Sequence, residues 1–155
     1  MNNGALFSLD GVPDLIFLLC SAVSVIKPRR RRRKKVLIVD DEYLIRYALQ
    51  ILLEDDGYSA FTAGCGDDAL RLFSEQKPDI VILDIHLPDI DGMVLLETIK
   101  EIRPAAAVIM ATACPDVRSS MEAMKRGALD YLEKPVSIDH LKALMESTKE
   151  ETQIL

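Results

Sequence analysis

Asp84 closes the apolar run Ile80-Val81-Ile82-Leu83 and stands just before the turn Leu87-Pro88-Asp89-Ile90-Asp91-Gly92. A carboxylate at the C-terminal end of a buried strand lies where open α/β sheets bind and transform ligands. Three further apolar runs end in reactive or charged groups: Val36-Leu37-Ile38-Val39 in Asp40-Asp41-Glu42, a run from Ala107 in Thr112, and a run from Leu129 in Lys134-Pro135. Parallel pairing of these strands would gather three carboxylates, a hydroxyl and an ammonium on one rim. That set suits phosphoryl chemistry on an aspartate.

Each group also has an ordinary role. Asp40-Asp41 in isolation reads as a solvated turn or a helix cap, Thr112 as a strand-end hydroxyl satisfied by backbone, Lys134 as a surface charge, and Tyr131 as a half-buried edge aromatic. Their joint placement favours the site. Three carboxylates at adjacent strand ends repel one another unless a cation relieves them. Magnesium does so with oxygen ligands and retained waters, using one or two carboxylates plus phosphate oxygens. Asp41 and Asp84 are the expected direct ligands, with Asp40 in an outer or water-bridged place and the main-chain carbonyl of His86 as a further ligand. Lys134 can neutralise a transferred phosphoryl group through a charge-assisted contact, and Thr112 can donate to a phosphoryl oxygen. The ring of Tyr131 would then move inward behind a repositioned Thr112. The Lys134-Pro135 bond, in a tight turn, is a candidate for the cis isomer.

The elements that must hold these groups follow in strict alternation. Val36–Asp40 reads as a buried strand, and Glu42–Asp56 repeats apolar residues at Leu44, Tyr47/Ala48, Ile51 and Leu52 before closing at Gly57, which predicts a helix. Tyr58–Ala63 alternates as an edge strand does, and Asp67–Gln76 is a helix blocked by Pro78. The pattern continues with strand Ile80–Asp84, helix Met93–Ile102 stopped before Pro104, strand Ala107–Ala111, helix Asp116–Arg126 ended by Gly127, strand Leu129–Leu132 and helix Ile138–Lys149 capped by Ser137. Five strand–helix units predict an α/β fold, a doubly wound parallel sheet covered on both faces by right-handed crossovers.

Composition narrows the function classes. A chain of 155 residues, 49% hydrophobic, can bury one core of ordinary size. Residues 1–35 hold eight Lys or Arg against two Asp, while residues 36–155 hold 11 Lys or Arg against 23 Asp or Glu. The acidic body argues against direct nucleic-acid binding. Cys20, Cys65 and Cys114 form no CxxC pair, which suits reduced thiols and a cytoplasmic location. His86 and His140 have no partners at zinc-ligand spacing.

Residues 1–34 form an apolar and basic arm of a different character, expected to lack regular structure, ahead of a domain over 35–150 and a tail over 151–155. Leu15–Ile26 is shorter than the ~20 residues that span a bilayer, and the seven basic residues from Arg29 to Lys35 follow it, the wrong order for an export signal. Three readings fit the arm: a mis-assigned start or disordered extension, a weak membrane or interfacial anchor, and a nucleic-acid-binding arm.

The set Val39-Asp40-Asp41-Glu42, Asp84-Ile85-His86-Leu87-Pro88-Asp89-Ile90-Asp91-Gly92, Thr112-Ala113 and Tyr131-Leu132-Glu133-Lys134-Pro135 resembles the receiver domains of two-component response regulators. The resemblance covers residues 35–150. Gly127-Ala128-Leu129-Asp130-Tyr131 through Pro135 is most similar to receivers of nitrogen-regulator-type transcriptional activators. The resemblance implies a flavodoxin-like strand order, 2-1-3-4-5. It implies Asp84 as phosphoacceptor, Asp40 and Asp41 as the acidic pair that holds magnesium, Lys134 as the phosphate-binding lysine, and Thr112 with Tyr131 as the switch pair. The implied donor is a sensor histidine kinase or phosphotransfer protein, and the implied listener is a downstream output protein. Such a domain is a self-resetting switch rather than a turnover enzyme.

Two rivals use the same residues. A metal-dependent phosphohydrolase with an aspartyl-phosphate intermediate, similar to the haloacid dehalogenases, needs a second aspartate two residues after the nucleophile; His86 stands there. A docking module that is never phosphorylated would not need the full set of rim residues. The helix 4, strand 5 and helix 5 face, with Val117–Met124 and Ile138–Met145, is the expected surface for a downstream partner, Met121, Met124 and Met145 supplying adaptable contact area.

Overall fold

The chain divides into two units, Met1–Arg32 and Arg33–Leu155. The computed structural model describes residues 32–150. The readings placed on residues 1–31 and on 151–155 lie outside the described residues.

Strands β1 (Lys35–Val39), β2 (Ser59–Ala63), β3 (Ile80–Asp84), β4 (Ala107–Thr112) and β5 (Asp130–Glu133) alternate with helices α1 (Tyr43–Asp55), α2 (Gly66–Gln76), α3 (Gly92–Ile102), α4 (Val117–Lys125) and α5 (Ile138–Glu150). The strands form one sheet in the order β2-β1-β3-β4-β5, every neighbouring pair parallel. This is the doubly wound sheet expected from the alternation, in the flavodoxin-like order implied by the family resemblance, with β2 on an edge as its mixed polarity predicts. The three central strands are buried on both faces, which explains why they read as continuous apolar runs.

Side chains alternate across the sheet and divide the core in two. Leu37, Val39, Val81, Leu83, Val108 and Met110 face α2, α3 and α4, where they meet Phe73, Leu95, Leu96, Ile99 and Ala123. Val36, Ile38, Ile80, Ile82, Ile109 and Ala111 face α1 and α5, meeting Leu49, Leu53, Leu141 and Met145. Met145 is therefore a core residue, whereas Met121 and Met124 are exposed on α4 with Val117.

One helix turns a different side inward from the side that defines its period. The stripe at Leu44, Tyr47 and Ile51 is 76%, 52% and 49% exposed, and Leu52 and Ala48 are exposed beside it. The face against the sheet is Ile45, Leu49 and Leu53. The helix is apolar around more than half its girth, so both stripes satisfy the helical repeat and the repeat alone does not choose between them.

The ends of the helices follow the local chemistry. Asp116 lies just outside α4 as its N-cap, its carboxylate accepting from Ser119 N at 2.9 Å, and Asp91 caps α3 by accepting from Met93 N at 2.7 Å. Gly57 and Gly127 take φ of +86° and +93° after α1 and α4, a left-handed turn that glycine adopts without steric cost. Lys34 Nζ donates to the Thr148 carbonyl at 2.6 Å and lies 3.2 Å from Thr148 Oγ1, tying the start of β1 to the last turns of α5.

Candidate functional site

The sheet carries its chemistry on the rim formed by the C-terminal ends of the strands. Register places Asp84 beside Ala111 and Thr112 beside Glu133, and the main-chain N–H of Lys134 donates to the Thr112 carbonyl at 2.8 Å. The main-chain N–H of Asp40 donates to Ala63 at 3.1 Å, so β2 sets the height of the first acidic residue. Lys134-Pro135 is a cis peptide.

Asp40 and Asp84 are buried while Asp41 is exposed, and a carboxylate oxygen of each lies within 4.8 Å of the others. Lys134 reaches into this group. Its Nζ lies 2.6 Å from Asp40 Oδ2 and 2.7 Å from Asp84 Oδ2, with all three side chains less than a tenth exposed. The remaining oxygens are also used: Asp40 Oδ1 accepts from Glu42 N at 2.8 Å and Asp84 Oδ1 from His86 N at 3.2 Å. Burial pushes the Lys134 ammonium down, but its hydrogen bonds to Asp40 and Asp84 outweigh that effect and hold its pKa above the ordinary lysine value.

Thr112 is fully buried, and its Oγ1 accepts from Cys114 N at 3.3 Å. Tyr131 packs against the cluster facing α2–α4, and its hydroxyl is buried. Burial and the nearby Asp116 carboxylate push the phenol's pKa up. His86 is exposed on the loop after Asp84 and pairs with Asp91 in an antiparallel bridge.

Three residues support the site in ways that sequence reasoning did not assign to them. Arg46, on α1, donates from its guanidinium to the Asp40 carbonyl at 2.5 Å and packs over the Tyr43 ring at 5.7 Å, so a second cation supports the acidic corner from behind. Its place one helical turn into α1 is uninformative, since an arginine there reads as a solvated charge. Gly92 sits so close to β3 that a Cβ would lie 2.2 Å from the Asp84 carbonyl oxygen and 2.6 Å from Ile85 Cα. Glycine is required there by backbone approach. Asp89, the third, accepts from two main-chain N–H groups of α2.

The rim can do two things. It offers a buried carboxylate with an ammonium in contact, an arrangement that can accept a phosphoryl group and neutralise its oxygens. Among the described residues its three carboxylates meet one contacting ammonium, and hard oxygen donors left in excess negative charge fit a magnesium-sized divalent cation.

Residues 36–146 match the family described as the response regulator receiver domain. The transcriptional regulatory protein ZraR of Escherichia coli O157:H7 is 38% identical over 116 residues, 75% of this chain and 26% of that protein. The DNA-binding transcriptional regulator NtrC of Klebsiella pneumoniae is 38% identical over 107 residues, 69% of this chain and 23% of that protein. The chain thus spans about a quarter of the length of these curated relatives. Among solved structures, a response regulator receiver domain protein from Clostridium thermocellum superposes with a TM-score of 0.73 at 36% identity, covering 78% of this chain and 98% of the other.

Proposed function

The chain belongs to the response regulator receiver domain family, and from that membership we propose that it accepts a phosphoryl group on Asp84 from a histidine kinase or phosphotransfer protein and relays the event through α4 and β5. The observation that carries this reading is the contact of one buried ammonium, Lys134, with both Asp40 and Asp84. The Asp84 carboxylate attacks phosphorus, an O–P bond forms as the P–N bond to the donor imidazole breaks, and the imidazole takes up a proton as it leaves. Lys134 then transfers its contact from the carboxylate to a phosphoryl oxygen, moving a short distance because it already touches the acceptor.

Receiver domains bind magnesium through acidic residues in general. In this chain Asp41 and Asp84 are the proposed direct ligands, with Asp40 in a water-bridged place and the His86 carbonyl as a further ligand. When bound, the ion would offset charge on the phosphoryl oxygens. Thr112 donates to the phosphorylated group, and Tyr131 occupies the space behind it. Phosphorylation replaces a single carboxylate charge with a group of about −1.5 to −2. That change acts on an equilibrium already present rather than creating a new state.

The domain resets by hydrolysis of the acyl phosphate and is a switch rather than a turnover enzyme. The cytoplasm is its proposed location. Among the described residues no helix is long and apolar enough to cross a membrane. Incubation with acetyl phosphate should add one phosphoryl mass when magnesium is present and none when it is chelated. Repeated turnover of a small phosphate ester would instead favour the hydrolase reading.

The donor is proposed to rest on the exposed α1 stripe of Tyr43, Leu44, Tyr47 and Ile51, since α1 begins directly after Asp40-Asp41-Glu42. Leu44→Arg is expected to slow phosphotransfer from the cognate donor by about tenfold or more, the effect of losing an interface anchor. Labelling by acetyl phosphate should be unchanged. A kinase rate equal to that of the parent would remove α1 from the interface and leave the α4–β5–α5 face as the remaining candidate.

A further inference from the structure

Helix α2 begins without a cap of its own. The residue before it, Cys65, makes no capping hydrogen bond to the helix N-terminus, which leaves the first main-chain N–H groups in need of an acceptor. The acceptor comes from a distant part of the chain. Asp89 Oδ1 accepts from Gly66 N at 2.8 Å and Asp89 Oδ2 from Asp67 N at 3.0 Å. Those two N–H groups hold the Asp89 carboxyl below the usual carboxylate range.

The contact is also shaped. Gly66 is buried, and a Cβ there would lie 2.2 Å from Ile90 Cγ2 and 3.4 Å from the Asp89 carboxylate oxygens. The loop between β3 and α3 is therefore seated flat on the start of α2. Its other end is closed by Gly92 N donating to the Ile85 carbonyl at 2.7 Å and by the bridge between His86 and Asp91. Held at both ends, the segment from Ile85 to Gly92 keeps its backbone fixed beside Asp84.

We propose that Asp89 is a positioning residue for the phosphoryl and cation site: by clamping the β3–α3 loop to α2, it sets the backbone of Ile85 and His86 against Asp84. The inference rests on the reading of the rim as a magnesium-assisted phosphorylation site. The Asp89 carboxylate spends its hydrogen bonds on α2 and not on the rim, so its action is through the loop. The partners of metal ligands typically change affinity by about 10- to 100-fold when removed. The expected effect here lies at the lower end, since Asp89 holds the loop and not a ligand side chain.

The test compares Asp89→Ala, Asp89→Asn and Asp68→Ala with the parent. Asp68 also places a carboxylate in the first turn of α2, but it pairs with Arg71 on the same helix. Magnesium binding is followed by the amide shifts of Ile85 and His86, and acetyl phosphate labelling is measured against magnesium concentration. Asp89→Ala should raise the magnesium needed for half-maximal shift and half-maximal labelling by about tenfold, with the labelling rate at saturating magnesium nearly unchanged. Asp89→Asn, which keeps one acceptor oxygen, should fall between. Asp68→Ala should weaken α2 to heat without moving either midpoint.

Equal midpoints in Asp89→Ala and the parent would overturn the proposal, as would a shift in Asp68→Ala as large as that in Asp89→Ala. A parent that neither binds magnesium nor labels would defeat the underlying reading instead, and the two failures are distinct.

Discussion

Asp84→Asn is expected to abolish phosphoryl incorporation from acetyl phosphate, a loss of the whole signal, while leaving the fold intact. The amide keeps the shape of the carboxylate and its carbonyl can still accept from Lys134 Nζ, but its oxygen is a poor nucleophile and cannot form the acyl phosphate. The substitution also removes one charge from a cluster in which three carboxylates crowd within 4.8 Å. Relief of that repulsion should keep the thermal midpoint of the metal-free variant at or above that of the parent. Intact-mass measurement after incubation with acetyl phosphate and magnesium decides the matter. Undiminished labelling would move the acceptor to another carboxylate, Asp40 or Asp41 being the nearest.

Lys134→Ala is the second large effect, and here burial changes the expectation. Viewed as a rim residue, Lys134 should be removable with little harm to the fold. It is instead a nearly buried cation shared by two nearly buried carboxylates. Removing one partner of a buried pair leaves charge uncompensated, so a loss of roughly 3 kcal/mol is expected without metal. Magnesium should restore much of it, because an ion bound to the folded state alone stabilises by mass action.

The pH dependence has a defined sign. Pairing raises the ammonium's pKa above its ordinary value of 10.5, so its contribution is complete below 10.5 and fades as pH climbs through the raised value. The gap between parent and variant should be flat through neutral pH and narrow only in strong alkali. Urea unfolding at several pH values, with and without magnesium, provides the measurement. Equal stability without metal would mean that water already compensates the carboxylates.

Much of this arrangement is legible in the amino-acid sequence. Apolar runs punctuated by Gly57, Pro78, Pro104 and Gly127 locate the elements, because turns leave chemical marks of their own. Asp40, Asp41, Asp84, Thr112 and Lys134 are legible because each closes or directly follows a strand. Two kinds of information are not. Alternation gives strand count but not order, and 2-1-3-4-5 comes only with the family resemblance, since nothing in a strand's own residues names its neighbour. The inward face of α1 is also hidden, because Leu44, Tyr47 and Ile51 repeat as regularly as Ile45, Leu49 and Leu53. Asp89 looks like any turn aspartate; its partners, Gly66 and Asp67, lie more than 20 residues away and no local rule connects them.

The hydrogen bonds from Lys34 to Thr148 have a consequence for how such a unit can be combined with others. They place the entry and exit of the fold side by side at the end of the sheet opposite the acidic rim, about 16 Å away by the rise of a five-residue strand. A domain whose two ends meet can be spliced into the loop of another protein without prising that loop open. Its reactive end then faces away from the seam, free to be approached by a donor whatever the splice carries.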